Sequence, residues 1–199
     1  MEGLEEKIVN YYQQIPKPVR YFLSMALAMA VAWKLIYLIF LLNTRILDGP
    51  LTNHVGVASA YLLNHISGMH DFSAFNNVDT TIMEGQIQIV QVCKIVHENK
   101  KVLHIADGCN GLELMVLYSG FILCFPSSKK RKLFYLLFGV TIIDCCNILR
   151  CSLLGIIKEF YHPYFYISHH FIFKAVVYTV IVMLWVYFTK KNQPCDAVL

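Results

Sequence analysis

The chain is expected to fold as an all-α membrane protein, and its composition, its apolar runs and its loop charges predict this. Of its 199 residues, 57% are hydrophobic and only 15% are charged. A typical soluble domain has about 25% charged residues. The length suits a single integral membrane domain over residues 1–199. The net charge of +4 is modest and lies largely beside apolar segments, so it implies no nucleic-acid partner.

Four apolar segments approach the roughly 20 residues that a membrane-spanning helix needs. They are Tyr21–Leu42, Gly111–Phe125, Leu133–Ile157 and His170–Phe188, of which the second is short. A further apolar run, Val55–Ile66, is also short and has polar flanks, which favours an interfacial or re-entrant helix. The predicted architecture is a small transmembrane bundle of about four spans plus this additional helix.

The ends of the chain and the basic residues predict its orientation. Met1–Ile15 holds three glutamates and one lysine, and no small-residue cleavage site follows, so the first apolar run is interpreted as a retained span. Lysines and arginines cluster in the short Ser127–Lys132 loop and near both termini. By the positive-inside rule this side is cytoplasmic, and the long segment 43–108 is extracytoplasmic.

Part of this outer segment has the pattern of a β-hairpin. Residues alternate between polar and apolar from Gln86, and β-branched residues continue to Val96. Residues 98–101 form a polar turn candidate, and Val102–Ile105 can return as a second short strand. The hairpin would lead directly into Cys109. The core of the domain is expected over residues 102–190.

Three polar motifs interrupt the apolar background, at Asp107–Glu113, at Asn147–Arg150 and at His169–His170. At a helix rise of about 1.5 Å per residue, each lies roughly 27–30 Å from the basic cytoplasmic boundary. The hydrocarbon core is about 30 Å thick. Three different helices can therefore deliver a thiol, a guanidinium and an imidazole to the outer face at nearly one depth.

These residue types suit nucleophilic catalysis. The thiolate of Cys109 would be favoured at a helix N-terminus, where Asn110 and Glu113 have capping-box spacing. A histidine can take up the thiol proton and later protonate a leaving amine. Arg150 can stabilise the thiolate or an oxyanion, and Asn147, on the same helix face, can orient Arg150 or bind substrate.

Each motif also has a structural interpretation. The glycines beside Cys109 can simply form a turn, Arg150 can snorkel to the interface, and the histidines can be interfacial anchors. Glu113 can act only as a cap or pair with Arg150. The seven cysteines include no C-x-x-C pair, the other histidines have no metal-ligand spacing, and neither a metal nor a cofactor is implied.

The motifs Gly108–Glu113, Asn147–Arg150 and His169–Phe173 resemble those of the exosortase/archaeosortase family, over roughly residues 102–190. The resemblance implies a transmembrane bundle in the cytoplasmic membrane with an outward-facing active site and no cofactor. It implies Cys109 as the nucleophile, Arg150 as the essential arginine and His170 as the base. His170 is preferred over His169 because an aromatic residue follows it closely, as in the family.

Family members cleave the C-terminal sorting signals of exported proteins, which consist of a short motif, a span and a basic tail. The resemblance implies these proteins as partners, in contact with membrane lipid, and a thioester intermediate resolved by water or an amine. The chain has about half the spans of larger members, so parts of its substrate groove are expected to differ from theirs. The alternative is a non-catalytic membrane subunit, either a polysaccharide-export partner or a haem-binding protein.

Overall fold

The structure is a computed structural model that describes residues 16–66, 70–83, 86–98 and 100–190. Five long helices are labelled α1 to α5 and three strands β1 to β3. The helices are α1 (Lys17–Ile36), α2 (Asp48–Ile66), α3 (Leu112–Cys124), α4 (Lys129–Phe160) and α5 (Phe173–Lys190). The strands are β1 (Phe72–Met83), β2 (Gln86–His97) and β3 (Lys100–Ala106). The interpretation of Met1–Ile15 lies outside the described residues.

Short helical turns connect or extend these elements. A π-helical turn, Tyr37–Leu41, and the helical residues Leu42–Thr44 continue α1. A 3-10 turn, Asp107–Cys109, joins β3 to α3. The segment before α5 contains a 3-10 turn (His162–Tyr164), a short α-turn (Phe165–Ile167) and a second π-helical turn (Ser168–Ile172).

Three described helical segments are long and apolar enough to cross a membrane: Val19–Leu41, Lys129–Phe160 and His162–Lys190. The segment expected to form the second span is helical as α3, but its 13 residues cover only about 20 Å, which is less than the roughly 30 Å of a hydrocarbon core. Large apolar side chains on the first segment face outward, among them Leu27 at 67% and Phe40 at 64% exposure. This is the surface expected of helices in contact with lipid.

The predicted hairpin is confirmed as β2 and β3, and it belongs to a three-stranded antiparallel sheet in the order β1-β2-β3. Val92 pairs with Ala106 at the end of the sheet from which the chain continues to Cys109. Strand β1 was not predicted; it pairs with β2 along its whole length from Phe72 to Met83. The short apolar run at residues 55–66 is indeed helical, but its helix begins earlier, at Asp48.

Two apolar cores share the long helix α4. The first packs α2 and the sheet against the C-terminal half of α4, through residues such as Val55, Ile95 and Leu154. The second joins α3, α4 and α5 through residues such as Tyr118, Ile143 and Ile181. With 32 residues α4 is about 48 Å long, which exceeds the roughly 30 Å hydrocarbon core. The helix therefore connects a bundle to a sheet-containing unit.

Close packing between α2 and the sheet requires a glycine at position 56. A Cβ there would overlap the side chain of buried Cys93, whereas a Cβ on Gly49 of the same helix meets no atom within 4 Å. Gly56→Val should therefore lower the free energy of unfolding by about 1–3 kcal/mol, as overpacked cores do. Thermal unfolding in detergent measures this, with Gly49→Val as the matched control. Equal midpoints for the two variants would show that the helix and the sheet are not in close contact.

Candidate active site

Cys109 lies at the turn where β3 ends and α3 begins. The N–H of Asn110 donates to the carbonyl oxygen of Asp107 at 3.2 Å, which closes the 3-10 turn around Cys109. Gly111 has φ 87°, a left-handed conformation that glycine adopts readily and that is unfavourable for residues with a side chain. The Oδ1 atom of Asn110 accepts the N–H of Leu112 at 2.9 Å, so this side chain satisfies the first turn of α3. The predicted helix start at this motif is therefore correct.

Helix α4 brings Asn147 and Arg150 to this turn from one face. Asn147 Nδ2 donates to the carbonyl oxygen of Cys109 at 3.1 Å. Arg150 Nη2 lies 4.0 Å from Cys109 Sγ. Asn147 is fully buried and Arg150 is 8% exposed. Asn147 therefore contacts the backbone of Cys109, and Arg150 contacts its thiol.

Arg150 is a buried cation without a carboxylate partner in the described part of the chain. The ion pairs found there involve other side chains, and the Nε atom of Arg150 has no hydrogen-bond partner. Isolated buried charges are strongly unfavourable. The sulfur of Cys109 lies beside the guanidinium, and it would balance the positive charge best as a thiolate.

The histidine beside Cys109 is His169, whose Nε2 atom lies 3.9 Å from Sγ. Its ring stacks on Phe165 with centroids 5.7 Å apart. The neighbouring His170 is exposed, and its ring contacts Tyr166 at a centroid distance of 4.5 Å. His170 was the expected base, but the structure places His169 beside the thiol. Both residues belong to the π-helical turn, which is wider than an α-helix and changes which side chain faces inward.

Glu113 does not take the positions considered for it. Its Oε1 atom pairs with Lys34 Nζ at 3.1 Å, and both side chains are largely exposed. This pair links α1 to α3. The alternative that Glu113 pairs with Arg150 is therefore wrong.

Residues between α1 and the middle of α2 form a polar layer under the Cys109 turn. Asp48, only 3% exposed, accepts hydrogen bonds from Asn110 Nδ2 at 2.8 Å and from the Tyr37 hydroxyl at 3.0 Å. Asp107 is bound by Arg45 and Thr52. Hydrogen bonding to Asp107 raises the pKa of Arg45, which therefore stays charged. None of the four residues in this layer was predicted to belong to the site, and nothing in their spacing indicated it; they are Tyr37, Arg45, Asp48 and Thr52.

A cavity of about 300 Å³ opens onto the thiol. Its walls include Asp48, Cys109, Arg150, His169 and Lys174. An apolar groove of about 410 Å³ between α1 and α3 shares the lining residues Glu113, Leu114 and Tyr178 with this cavity. In the described residues there is no cluster of three or more His, Cys, Asp or Glu side chains that could hold a metal ion.

The fold and the site together define an integral membrane protein with a cysteine, an arginine and a histidine gathered at the end of a helical bundle. The family model of the transmembrane exosortases matches residues 19–187. The chain belongs to the transmembrane exosortase family. Neither the curated proteins nor the solved structures gave a match.

The geometry predicts different effects for the two adjacent histidines. His169→Ala should slow alkylation of Cys109 near neutral pH several-fold, because it removes the group nearest the thiol proton. His170→Ala should leave the rate close to that of the unmodified protein. Mass spectrometry of the Cys109 peptide after timed exposure to a small maleimide measures both rates. The reverse ranking would place His170, not His169, against the thiol.

Proposed function

We propose that this protein is a membrane-embedded cysteine protease or transpeptidase that cleaves C-terminal sorting signals of exported proteins through a thioester on Cys109. The observation that carries the proposal is the position of the Cys109 sulfur between the buried, carboxylate-free Arg150 and the imidazole of His169. Family membership supports the same reaction class. A non-catalytic subunit would have no need for a buried cation beside a thiol.

The first step transfers the Cys109 proton to His169. With Nδ1 protonated, Nε2 is free to accept that proton, and the resulting thiolate is stabilised by Arg150. The sulfur–nitrogen distance of 3.9 Å is long for a hydrogen bond. Such distances are common in active sites without substrate and shorten on binding.

The thiolate then attacks the carbonyl carbon of the scissile peptide bond. A carbon–sulfur bond forms, and the carbonyl electron pair moves to oxygen to give an oxyanion. Arg150 supplies positive charge and N–H donors to this oxyanion. When the intermediate collapses, the carbon–nitrogen bond breaks and His169 gives its proton to the leaving amine. Water or an amine then attacks the thioester, which releases the product and restores the thiol.

Asn147 and Asn110 support this chemistry without reacting. Asn147 holds the carbonyl of Cys109, which fixes the backbone that carries the thiol. Asn110 connects the start of α3 to Asp48 and thereby limits movement of the turn. Preorganisation of this kind lowers the barrier because the reacting groups need not be reoriented during the reaction.

The substrate is expected to reach the site from the membrane. In a four-span arrangement with α3 as a short second span, the Lys129–Lys132 end faces the cytoplasm and the cavity faces the extracytoplasmic side of the cytoplasmic membrane. The apolar groove between α1 and α3 adjoins the cavity and shares Glu113, Leu114 and Tyr178 with it. It suits an apolar substrate segment whose adjoining peptide bond lies beside Cys109.

Cys109→Ala should abolish cleavage of a co-expressed exported protein that carries a motif, a span and a basic tail. Arg150→Ala should reduce cleavage by about 100-fold or more, as loss of an oxyanion donor does in other acyl-transfer enzymes. Arg150→Lys should restore only part of it, because lysine lacks the planar fork. Immunoblotting of the tailed protein in whole cells measures cleavage. Cys146→Ala, which alters a partly buried thiol of α4 that does not line the cavity, is the control.

Undiminished cleavage in Cys109→Ala would exclude the proposed reaction. A covalent adduct between Cys109 and the N-terminal part of the substrate, sensitive to hydroxylamine, would demonstrate the thioester. The mass of the released product then distinguishes hydrolysis, which leaves a carboxylate, from transfer, which leaves an amide.

A further inference from the structure

The hydroxyl of Thr52 connects two residues on either side of Cys109, Asp107 and Asn110. Thr52 Oγ1 donates to Asp107 Oδ1 at 2.8 Å, and Asn110 Nδ2 donates to Thr52 Oγ1 at 3.3 Å. A hydroxyl offers one donor and two acceptor positions, so a single threonine can make both bonds. Thr52 is 2% exposed, which excludes water as an easy substitute. Thr52 therefore closes a bridge beneath the turn that carries the nucleophile.

Arg45 holds the same carboxylate from the other side. Its Nε atom donates to Asp107 Oδ2 at 2.7 Å and its Nη2 atom to Oδ1 at 2.5 Å. It also binds the side chain and carbonyl oxygen of Gln91 in β2. This two-bond, charge-assisted contact is directional as well as strong. Arg45 has φ 49°, a left-handed conformation that a non-glycine residue keeps only where its surroundings enforce it.

Asp48 completes the attachment on the far side of Cys109. It accepts from Asn110 Nδ2 at 2.8 Å, so the turn is bound at the second residue before Cys109 and at the residue after it. All three attachment residues, Arg45, Asp48 and Thr52, lie within eight positions at the start of α2. On the opposite side, α4 binds the turn through Asn147.

The attachments of the turn to the start of α2 and to α4 determine where the thiol lies relative to Arg150 and His169. The sulfur is 4.0 Å from Arg150 Nη2 and 3.9 Å from His169 Nε2, so a small movement of the turn removes both contacts. We propose that Thr52 and Arg45 are positioning residues that hold the Cys109 turn against Arg150 and His169. The inference rests on the proposed role of Cys109 as the nucleophile. It assigns a function to residues 45–52, the end of the α1–α2 connection and the start of α2.

The test uses the full-length protein in membranes and the pair Thr52→Val and Thr52→Ser. Valine has the shape of threonine without the hydroxyl, whereas serine keeps the hydroxyl. Alkylation of Cys109 by a small maleimide is timed at about pH 7 and at about pH 10, on either side of the ordinary thiol pKa of about 8.5. The rate at the lower pH divided by the rate at the higher pH removes the effect of accessibility. This ratio reports the fraction of Cys109 that is a thiolate at the lower pH. Thr44→Val is the control, because the exposed Thr44 hydroxyl binds only helix carbonyls outside the site.

Thr52→Val should lower this ratio by about threefold or more, while Thr52→Ser and Thr44→Val should keep it close to the original value. Arg45→Lys, which keeps the charge but loses the fork, should lower it as well. The buried thiol of Cys151 serves as an internal reporter, because it reacts only if the fold opens. An unchanged ratio in Thr52→Val with Cys151 protected would overturn the proposal.

If Cys151 becomes reactive in Thr52→Val, the decision passes to Arg45→Lys. Exposure of Cys151 in both variants would also overturn the proposal, because the contacts would then stabilise the fold rather than the site. The readout needs no substrate, so it is independent of the cleavage assay. A lowered ratio together with intact cleavage in Cys109→Ala would retain the positioning role and reject the proposed reaction.

Discussion

The structure depends most on one buried positive charge, the guanidinium of Arg150, which has no carboxylate partner among the described residues. An arginine inside a membrane-spanning helix costs about 2.5–3.5 kcal/mol even by the most permissive scales. A fold that only needed stability would place a carboxylate beside it or an apolar residue in its place. Here the adjacent group is the thiol of Cys109, and a cavity lies beside both side chains. In the proposed reaction, negative charge develops beside this cation, first on the sulfur and then on the carbonyl oxygen.

Much of the site and fold could be predicted because it follows from local pattern. Apolar runs gave the helices, and alternation of polar and apolar residues gave β2 and β3. Helix rise alone placed Cys109 and Arg150 at one depth, and the structure brings them within 4.0 Å of one another. The strand β1 was missed because Asn76, Asn77 and Asp79 interrupt its apolar residues. It forms through pairing with β2, a nonlocal interaction that its own residues do not indicate.

The choice between the histidines and the polar layer under Cys109 could not be predicted for different reasons. A regular α-helix puts adjacent side chains about 100° apart, but the direction of each depends on every preceding turn. The π-helical turn Ser168–Ile172 changes that direction without a recognisable sequence signal. The bonds of Arg45 and Thr52 to Asp107 span 62 and 55 residues. Contacts over such separations depend on how the sheet and α2 pack, which only the complete fold determines.

The length of α4 has a mechanical consequence. One rigid helix of 32 residues carries Asn147 and Arg150 and contributes to both apolar cores, so these two side chains must move together with the Cys109 backbone that Asn147 binds. His169 belongs to a different helical segment, and its Nε2 atom approaches the Cys109 thiol at 3.9 Å. Helices tilt when the thickness of the surrounding lipid changes. A thicker or thinner bilayer would therefore alter the spacing between thiol and imidazole while leaving that between thiol and guanidinium nearly constant.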